Sequence, residues 1–360
     1  MKLAIIGTDG LPARYGGFET FAMEVSPCLA ALGHEVRVIG SSIGRAAEER
    51  GPEGVSIRNL PLRANGIASI PFDLASLAAV ARWAEAVILL GVSAGPFVPA
   101  MRRFVRGGNL IVNVDGLESR RMKWSPLGRR YLAWAERVAI HGAKHVVADN
   151  DAIADIIREE HHRASLTIAY GCDHVRSIKP SDRRRILASF SLEENTFLLT
   201  VARIEPENNI EMMLDAVDPQ VAHPYAIVGN FSSTEYGRMI WKRYSNRPGI
   251  RLIGPTYDPD ALAALRSGCH IYLHGHSVGG TNPSLVEMLP YARPILAYDC
   301  SFNRSTMRNE GGYFASSADL RTLLMRGDAE RYTPSLSLRD DPRYQWQTIA
   351  QHYASLAMGE

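Results

Sequence analysis

The strongest constraint on the fold is an alternation of strands and helices that runs through the chain twice. Short runs rich in Val, Ile and Leu are separated by stretches long enough for a helix. Such runs are typical of parallel sheets buried on both faces. The first series has predicted strands at 3–6, 36–39, 86–90, 109–114, 145–148 and 167–169, and the second has them at 197–201, 225–228, 250–253, 270–273 and 295–297.

The domain boundaries are predicted from the point where this pattern restarts. We expect a first domain at 1–176, a second at 177–341, and a C-terminal helix at 342–360 that packs back on the first domain. A length of 360 residues suits two domains. Because open α/β sheets bind ligands at the carboxyl ends of their strands, we expect a binding cleft between the two domains.

Composition excludes several classes of protein. The formal net charge is only +2, so a strongly basic nucleic-acid-binding protein is disfavoured. The four cysteines form no CxxC pair, which favours reduced thiols over disulfides or a zinc site. No apolar run reaches membrane-spanning length, and the N-terminus has no signal-peptide pattern. The sequence therefore predicts a cytoplasmic protein.

A glycine-rich loop, GTDGLPARYGGFET at 7–20, lies between the first strand and the first helix. Gly16 and Gly17 let backbone N–H groups approach an anionic ligand, and Arg14 adds a positive charge. A plain strand-to-helix turn is the structural alternative. NAD or FAD binding is disfavoured because the spacing is not GxGxxG and the second strand ends in Ser41 and Ser42 instead of an acidic residue.

The segment TVARIEPENN at 200–209 places Arg203 at the carboxyl end of a second-domain strand. A guanidinium there is suited to binding two phosphate oxygens. The alternative is a surface arginine paired with Glu205 or Glu207.

The most specific motif is HSVGGTNPSLVE at 276–287. Asn282 and Pro283 suit the N-cap and first position of a helix, whose N–H groups would bind a diphosphate. Glu287 is expected more than one turn into that helix, where it would bind a ribose diol, and His276 would donate to a phosphate. A purely structural loop is the alternative.

Three weaker signals complete the candidate site. In NVDGLE at 113–118, Asp115 and Glu118 would meet an acceptor hydroxyl, or else cap the next helix. Tyr257 would lie against the nucleotide base, or else pack on its own domain. His274 and His276 share a face of a strand, but no third metal ligand accompanies them, so we expect no metal ion.

A basic, aromatic-rich stretch at 120–137 suits contact with anionic lipid headgroups. The alternative is an ordinary amphipathic helix with Trp134 in the core and the arginines in water.

The three long motifs together resemble the bacterial rhamnosyltransferase-like branch of family 4 glycosyltransferases, which has the GT-B fold of two Rossmann-like domains. The NVDGLE and AYGCD segments extend this likeness over nearly the whole chain. The resemblance implies a retaining, metal-independent and cofactor-free transfer from a nucleotide sugar, often dTDP-rhamnose, to a cell-surface glycan. A lipid-linked acceptor would suit peripheral contact with the inner face of the membrane.

The sequence departs from the wider family at three positions. Gly279 stands where many members have the first of two glutamates, Asn208 where many have a lysine, and Asp115 where many have a histidine. The two-cation clamp on the diphosphate is thus reduced to Arg203.

These observations assign a role to each candidate residue. The first domain would bind the acceptor and the second the donor, with the loop from Arg14 to Gly17 closing over the donor.

The rival functions are a GT-B nucleotide-sugar epimerase and a non-catalytic nucleotide-sugar-binding module. The catalytic candidates are Asp115, Glu118 and Arg203; the nucleotide-sugar site comprises Gly16, Gly17, Arg203, Asn208, Tyr257, His276, Gly279, Gly280, Thr281, Asn282 and Glu287; the acceptor or its adjoining loop involves Arg14, Tyr15 and Glu19.

Overall fold

The computed structural model describes residues 1–13, 16–44, 46–52, 54–121, 124–217 and 223–359. The chain forms two compact units. The first consists of Met1–Gly171, Gly279–Thr281 and Pro342–Glu360, and the second of Cys172–Val278 and Asn282–Asp341. Three residues of the HSVGGTNPSLVE motif therefore belong to the first unit.

The first unit is built on a sheet that has eight strands in the described part of the chain. They are β1 (Lys2–Ile6), β2 (Glu35–Ser41), β3 (Glu48–Arg50), β4 (Val55–Leu60), β5 (Ala86–Leu90), β6 (Leu110–Asn113), β7 (His145–Ala148) and β8 (Leu166–Thr167). Their order is β3-β4-β2-β1-β5-β6-β7-β8. The edge pair β3–β4 is antiparallel, and the other neighbours are parallel.

Strand β1 occupies the position that matters for binding. It pairs with β2 on one side and β5 on the other. Strands β2 to β4 extend the sheet on the first side, and β5 to β8 then extend it on the second side, so the strand order reverses at β1. This reversal leaves a crevice at the carboxyl ends of β1 and β5, where open α/β sheets bind ligands. The GTDG loop at 7–10 begins at that point.

Helices cover this sheet because its strands are apolar on both faces. Leu3, Ile5 and Ile88 are fully buried. The helices are α1 (Gly17–Ala31), α2 (Ser69–Val80), α3 (Val98–Phe104), α4 (Pro126–Gly142) and α5 (Asp151–His161).

The second unit has a parallel sheet with six strands in the described residues. They are β9 (Leu198–Val201), β10 (Tyr225–Val228), β11 (Ile250–Ile253), β12 (Ile271–His274), β13 (Ile295–Tyr298) and β14 (Gly312–Phe314). The order β11-β10-β9-β12-β13-β14 places the reversal between β9 and β12. The residues that follow these two strands are therefore the ones best placed to bind a ligand.

The helices that follow in the chain include several of one or two turns. They are α6 (Pro180–Ser189), α7 (Ile210–Ala216), α8 (Glu235–Tyr244), α9 (Pro259–Gly268), α10 (Pro283–Val286), α11 (Ser301–Thr306), α12 (Ser317–Met325), α13 (Leu336–Arg339) and α14 (Trp346–Met358).

Helix α14 is part of the first unit, where it packs on α1. The Phe21 ring lies 5.1 Å from the ring of Tyr353 and 6.2 Å from that of Trp346, both edge-on. A side chain at Gly171 would lie 2.6 Å from the Trp346 ring, so this position is confined to glycine. The helix begins later than the predicted residue 342, because a separate 3-10 turn occupies Pro342–Tyr344.

The predicted architecture of two α/β units with mainly parallel sheets is confirmed, but three strands, β3, β4 and β14, were missed. Strand β4 alternates buried and exposed residues, since Val55 and Ile57 face the core while Ser56 and Arg58 face solvent. That alternation differs from the continuous apolar runs used for the prediction. Strand β14 has only three residues.

Candidate functional site

The loop after β1 is braced by Glu19. Its Oε1 accepts a hydrogen bond from the Asp9 N–H at 3.0 Å and lies 3.5 Å from the Thr8 hydroxyl. Burial raises the pKa of the Glu19 carboxyl, and the bond from Asp9 opposes that rise. The sequence predicts Glu19 at the acceptor or its adjoining loop, and in the structure its carboxylate braces the loop.

A glycine is required at residue 16, where this loop enters α1. Gly16 is the N-cap residue with φ +97°, and a side chain there would lie 2.9 Å from the Glu19 carboxylate. Gly17 is the first residue of the helix. Arg14 and Tyr15, which we predicted to face the donor or acceptor, lie outside the described residues.

Asp115 and Glu118 follow β6 and are connected through Arg121. Glu118 Oε1 lies 3.0 Å from Arg121 Nε, and its Oε2 accepts from Trp124 Nε1 at 2.9 Å. Asp115 lies 4.0 Å from the same guanidinium and adopts a positive φ of 56°. The prediction that Arg121 belongs to an exposed basic stretch is wrong, since only 9% of it is exposed and these carboxylates hold it.

Sequence reasoning missed Asp149, which follows β7 beside β6. It is 1% exposed, and its Oδ2 accepts from the Thr281 N–H at 3.2 Å. The Thr281 hydroxyl donates to the Asp149 backbone carbonyl. Any side chain at Gly280 would clash with the Asp149 carboxyl, so this close approach requires glycine. The rule that identified Asp115, an acid directly after a strand, would also have identified Asp149.

Asp149 has an unusual electrostatic environment. Burial raises the pKa of its carboxyl well above the ordinary value, and the negative charge of Asp115 raises it further. Both effects favour the neutral form of this carboxyl more than in an ordinary aspartate. The N–H of Thr281, which the sequence predicts to donate to a phosphate, thus donates to the Asp149 carboxyl instead.

In the second unit, Arg203 and His276 follow the two strands that border the reversal. Arg203 lies after β9 with 40% of its side chain exposed, and its Nε is 4.0 Å from Glu205 Oε2. His276 lies after β12 and stacks on His274, with ring centroids 4.4 Å apart. Burial lowers the pKa of His274 to about 3, so that ring is neutral at physiological pH.

Asn208 stabilises the segment that carries Arg203. Its side chain is buried, and its amide donates to the Arg203 backbone carbonyl at 2.7 Å. That bond engages one of the two N–H groups on the amide of Asn208, which is predicted to bind the nucleotide sugar. We infer that it fixes the course of the chain next to the guanidinium.

The helix after the HSVGGTN segment is shorter than predicted. Helix α10 is a single turn, and Glu287 is its C-cap residue, so the expectation that Glu287 lies more than one turn into a helix is wrong. Pro290 explains the early end, because a proline has no N–H to donate to the Val286 carbonyl and its ring crowds that oxygen. Asn282 is the N-cap residue as predicted, without a side-chain capping bond.

The Glu287 carboxylate is nevertheless held firmly within the second unit. Its Oε2 accepts from Arg266 Nη2, and its Oε1 lies 3.3 Å from His174 Nε2. Burial alone would raise the pKa of Glu287, but the charge of Arg266 and the bond from His174 outweigh burial and lower it. The carboxylate is therefore ionised at neutral pH.

Tyr257 is 62% exposed on the loop after β11, so the alternative in which it packs into its own domain is disfavoured. A cavity of about 390 Å³ opens near the same loop, at the carboxyl ends of β10 and β11. It is lined by Asn230, Phe231, Ser232, Arg238, Trp241, Gly254 and Pro255.

The described residues hold neither a cluster of metal ligands nor a membrane-spanning helix. No group of three or more His, Cys, Asp or Glu side chains is arranged to hold a metal ion. No helix in that part of the chain combines the length and apolar character needed to cross a membrane.

The first unit matches a known family model. Residues 16–169, from the N-cap of α1 to just beyond β8, match the model described as a glycosyl transferase 4-like domain. The first unit contains a glycosyl transferase 4-like domain. Asp115, Glu118 and Asp149 lie inside this domain, whereas Arg203 and Glu287 lie outside the match. No curated protein sequence matches the chain significantly.

Solved structures extend the likeness beyond the glycosyl transferase 4-like domain. Sucrose-phosphate synthase from Thermosynechococcus elongatus superposes with a TM-score of 0.81 at 15% identity, covering 99% of this chain and 98% of that one. Anabaena HepE in complex with UDP-glucose gives 0.70 at 13%, covering 100% of both chains. WaaG, a glycosyltransferase involved in lipopolysaccharide biosynthesis, gives 0.67 at 15%, covering 100% and 98%. At these identities the likeness establishes the GT-B fold.

Proposed function

We propose that the protein is a retaining glycosyltransferase that moves a sugar from a nucleotide-diphosphate sugar to a saccharide acceptor. The observation that carries this proposal is in the second unit. Arg203 and His276 follow the two strands that border the sheet reversal, which is where α/β sheets bind nucleotides. The ionised Glu287 belongs to the same motif as His276. The glycosyl transferase 4-like domain in the first unit supports the same function.

The donor roles follow from the chemistry of each group. When the bond between the anomeric carbon and the diphosphate breaks, negative charge grows on the departing phosphate. A guanidinium such as Arg203 stabilises that charge, and His276 adds a donor. Glu287 accepts hydroxyl groups of the ribose, and Tyr257 lies against the base. The backbone N–H groups of Gly279, Gly280 and Asn282 and the loop from Arg14 to Gly17 are the remaining proposed contacts.

The acceptor is proposed to bind the first unit near Asp115. This carboxylate lies after β6, at the carboxyl edge of the sheet. Glu118, which is held by Arg121 and Trp124, is the second carboxylate proposed to position the acceptor. Asp149 completes the group, and burial favours the protonated form of its carboxyl, the form that donates a hydrogen bond.

The finer proposal for the substrates is rhamnose from dTDP-rhamnose, transferred to a cell-surface glycan or a lipid-linked oligosaccharide. Its basis is the likeness of the three long motifs to rhamnosyltransferase-like sequences. The similarity to WaaG, which is involved in lipopolysaccharide biosynthesis, supports a surface-glycan acceptor. HepE binds UDP-glucose, so uridine nucleotides belong in any test of the donor.

Thermal unfolding with dTDP, UDP, GDP and ADP tests nucleotide binding directly. At a free nucleotide concentration of about 100 times the Kd, binding adds about 2.7 kcal/mol of stability, which raises Tm by several degrees. We expect this shift with at least one nucleotide, and we expect it to persist in excess EDTA. Absence of any shift would contradict the proposed donor site. A shift abolished by EDTA and restored by magnesium would show that a cation is required.

The exposed face of α4 supports peripheral contact with a membrane. Leu127, Arg130, Trp134, Arg137 and His141 follow one another at helical spacing, and all are exposed. Trp134 is 54% exposed and Leu127 78% exposed, so the alternative that buries Trp134 in the core is wrong.

The neighbouring helix α3 packs against α4 and extends this surface. Its exposed end presents Phe104 between Arg103 and Arg106. Aromatic side chains with flanking arginines suit the interface of an anionic lipid bilayer.

Binding to phosphatidylserine vesicles tests this surface. Because each arginine near an anionic membrane contributes about 1 kcal/mol, Arg130→Gln and Arg137→Gln should each weaken binding about fivefold at low salt. Trp134→Ala should also weaken it, whereas Trp241→Ala, at an exposed tryptophan of the second unit, is the matched control. Equal binding to neutral and anionic vesicles, or to neither, would favour an ordinary solvated helix.

A further inference from the structure

The segment at 172–176, which begins the second unit, contacts the rest of that unit at three points. His174 Nε2 lies 3.3 Å from Glu287 Oε1. Arg176 pairs with Asp260 at 3.2 Å, and the Tyr291 hydroxyl donates to the Arg176 carbonyl at 2.9 Å. The Arg176–Asp260 pair is exposed, whereas the His174–Glu287 contact is mostly buried. Of the side chains in this segment, His174 is the one that contacts the Glu287 carboxylate.

Arg266 reaches the same carboxylate from the last turn of α9. It is 5% exposed and bonds to Glu287 Oε2. A buried guanidinium needs a partner, and removing either member of a buried ion pair leaves an uncompensated charge. His174 and Arg266 therefore engage different oxygens of Glu287, from different segments of the chain.

The geometry leaves Glu287 able to bind a ligand. Each carboxylate oxygen has two lone pairs, and one protein donor per oxygen occupies only one of them. We propose that His174 and Arg266 are positioning residues that orient the Glu287 carboxylate toward the 3′-hydroxyl of the donor nucleotide's ribose. This inference rests on the proposed function.

Two donors on separate oxygens fix both the tilt and the rotation of a carboxylate. With Arg266 alone, the group can turn about the single contact at Oε2. His174 removes that freedom, so the remaining lone pairs are already oriented when a nucleotide arrives. Preorganisation of this kind strengthens binding by lowering the cost of ordering the site.

Calorimetric titration with two nucleotide pairs tests the inference. The probes are dTDP and UDP, each compared with its 3′-deoxy analogue, which lacks only the hydroxyl in question. In the wild type we expect the parent nucleotide to bind at least about tenfold more tightly than the analogue, as for a charge-assisted hydrogen bond. His174→Ala should reduce this ratio to below about threefold by weakening the parent nucleotide alone.

Three variants separate positioning from a merely structural role. His174→Gln places an amide N–H near the position of Nε2 and should restore most of the ratio. Arg176→Gln removes the exposed pair from the same segment and should leave the ratio unchanged. In steady-state transfer, His174→Ala should raise the donor KM and leave kcat within about twofold of wild type.

The Arg266→Met variant adds a pH readout. Without the guanidinium, burial would raise the pKa of Glu287, so nucleotide binding should become weaker as the pH falls from about 8 to about 6. In the wild type the pKa of Glu287 is lowered, so the loss of affinity over that range should be smaller than in the variant. The ionisable groups that interact with Glu287 are Arg266 on α9, His174 and Cys172 on the preceding segment, Tyr272 on β12 and Tyr291 on the 3-10 turn at Leu289–Tyr291. If the Arg266→Met variant does not fold, the affinity ratios of the His174 variants test the inference by themselves.

The outcomes distinguish the inference from the function on which it rests. If Glu287→Gln lowers the ratio and His174→Ala does not, the inference is overturned and the proposed function stands. Equal weakening of parent and analogue by His174→Ala would also overturn it, because that pattern indicates a general structural defect. If the wild type binds none of dTDP, UDP, GDP and ADP, the proposed function fails and the inference falls with it.

Discussion

An Arg203→Ala variant is expected to lose about a hundredfold to a thousandfold of its turnover number, the usual effect of removing one preorganised donor to developing charge. Asn208 stands at the position where many family members have a lysine, so no second cation is expected there to share the charge. Arg203 follows β9 at the edge of the sheet, with its side chain partly exposed. This position is the basis for the proposal that Arg203 meets the departing diphosphate.

Single-turnover transfer measures this loss without interference from product release. Arg203→Lys should recover only part of the rate, because a lysine offers one compact charge where a guanidinium binds two phosphate oxygens. Arg243→Ala removes an exposed arginine that pairs with Glu211 in the same unit, and serves as the matched control. A loss smaller than about fivefold in Arg203→Ala, with circular dichroism unchanged, would show that another group neutralises the diphosphate. Arg14 would then be the first residue to test.

A Glu287→Gln variant is expected to raise the donor KM at least about tenfold, since hydrogen bonds to a charged group are worth about 1.5–3 kcal/mol each. The amide keeps the shape of the side chain but loses its negative charge and half of its acceptor capacity. Turnover at saturating donor should change much less, because the ribose is remote from the bond that breaks. Steady-state kinetics over a wide range of donor concentration separates these two parameters.

The same substitution should also lower stability. Arg266 would remain buried opposite a neutral partner, and breaking a buried ion pair costs about 3–5 kcal/mol when one member is removed. Because glutamine keeps an acceptor oxygen, we expect a smaller loss, measurable by urea unfolding. Glu235→Gln, at an exposed position on α8, is the control. A donor KM and turnover equal to those of the wild type would contradict the assignment of Glu287.

The elements predictable from sequence are those whose signal is local. The bounds predicted for strands β5 and β10 match the observed ones. Because these strands are buried on both faces, each forms a continuous apolar run that can be identified from its own residues alone. The short α10 is also local in origin, and Pro290 could have revealed it. Strand β4 shows an alternating pattern, which a search for continuous runs passes over.

The missing parts of the candidate site depend on contacts between distant segments. Nothing in the sequence near Glu287 indicates that Arg266 and His174 will meet its two oxygens. The contact between Asp149 and Thr281 likewise joins residues far apart in the chain. Motifs identified the backbone loops and single charges, whereas only the three-dimensional fold assigns each charge its partner.

Product analysis by NMR tests the central claim most directly. The wild type is incubated with dTDP-rhamnose or UDP-glucose, with and without saccharide acceptors, and both the nucleotide and the anomeric signals are followed. The account predicts that one nucleoside diphosphate is released for each glycoside formed, and that the new bond keeps the anomeric configuration of the donor. Conversion of the donor to an epimer without an acceptor, or tight nucleotide binding with no turnover on any acceptor, would contradict it.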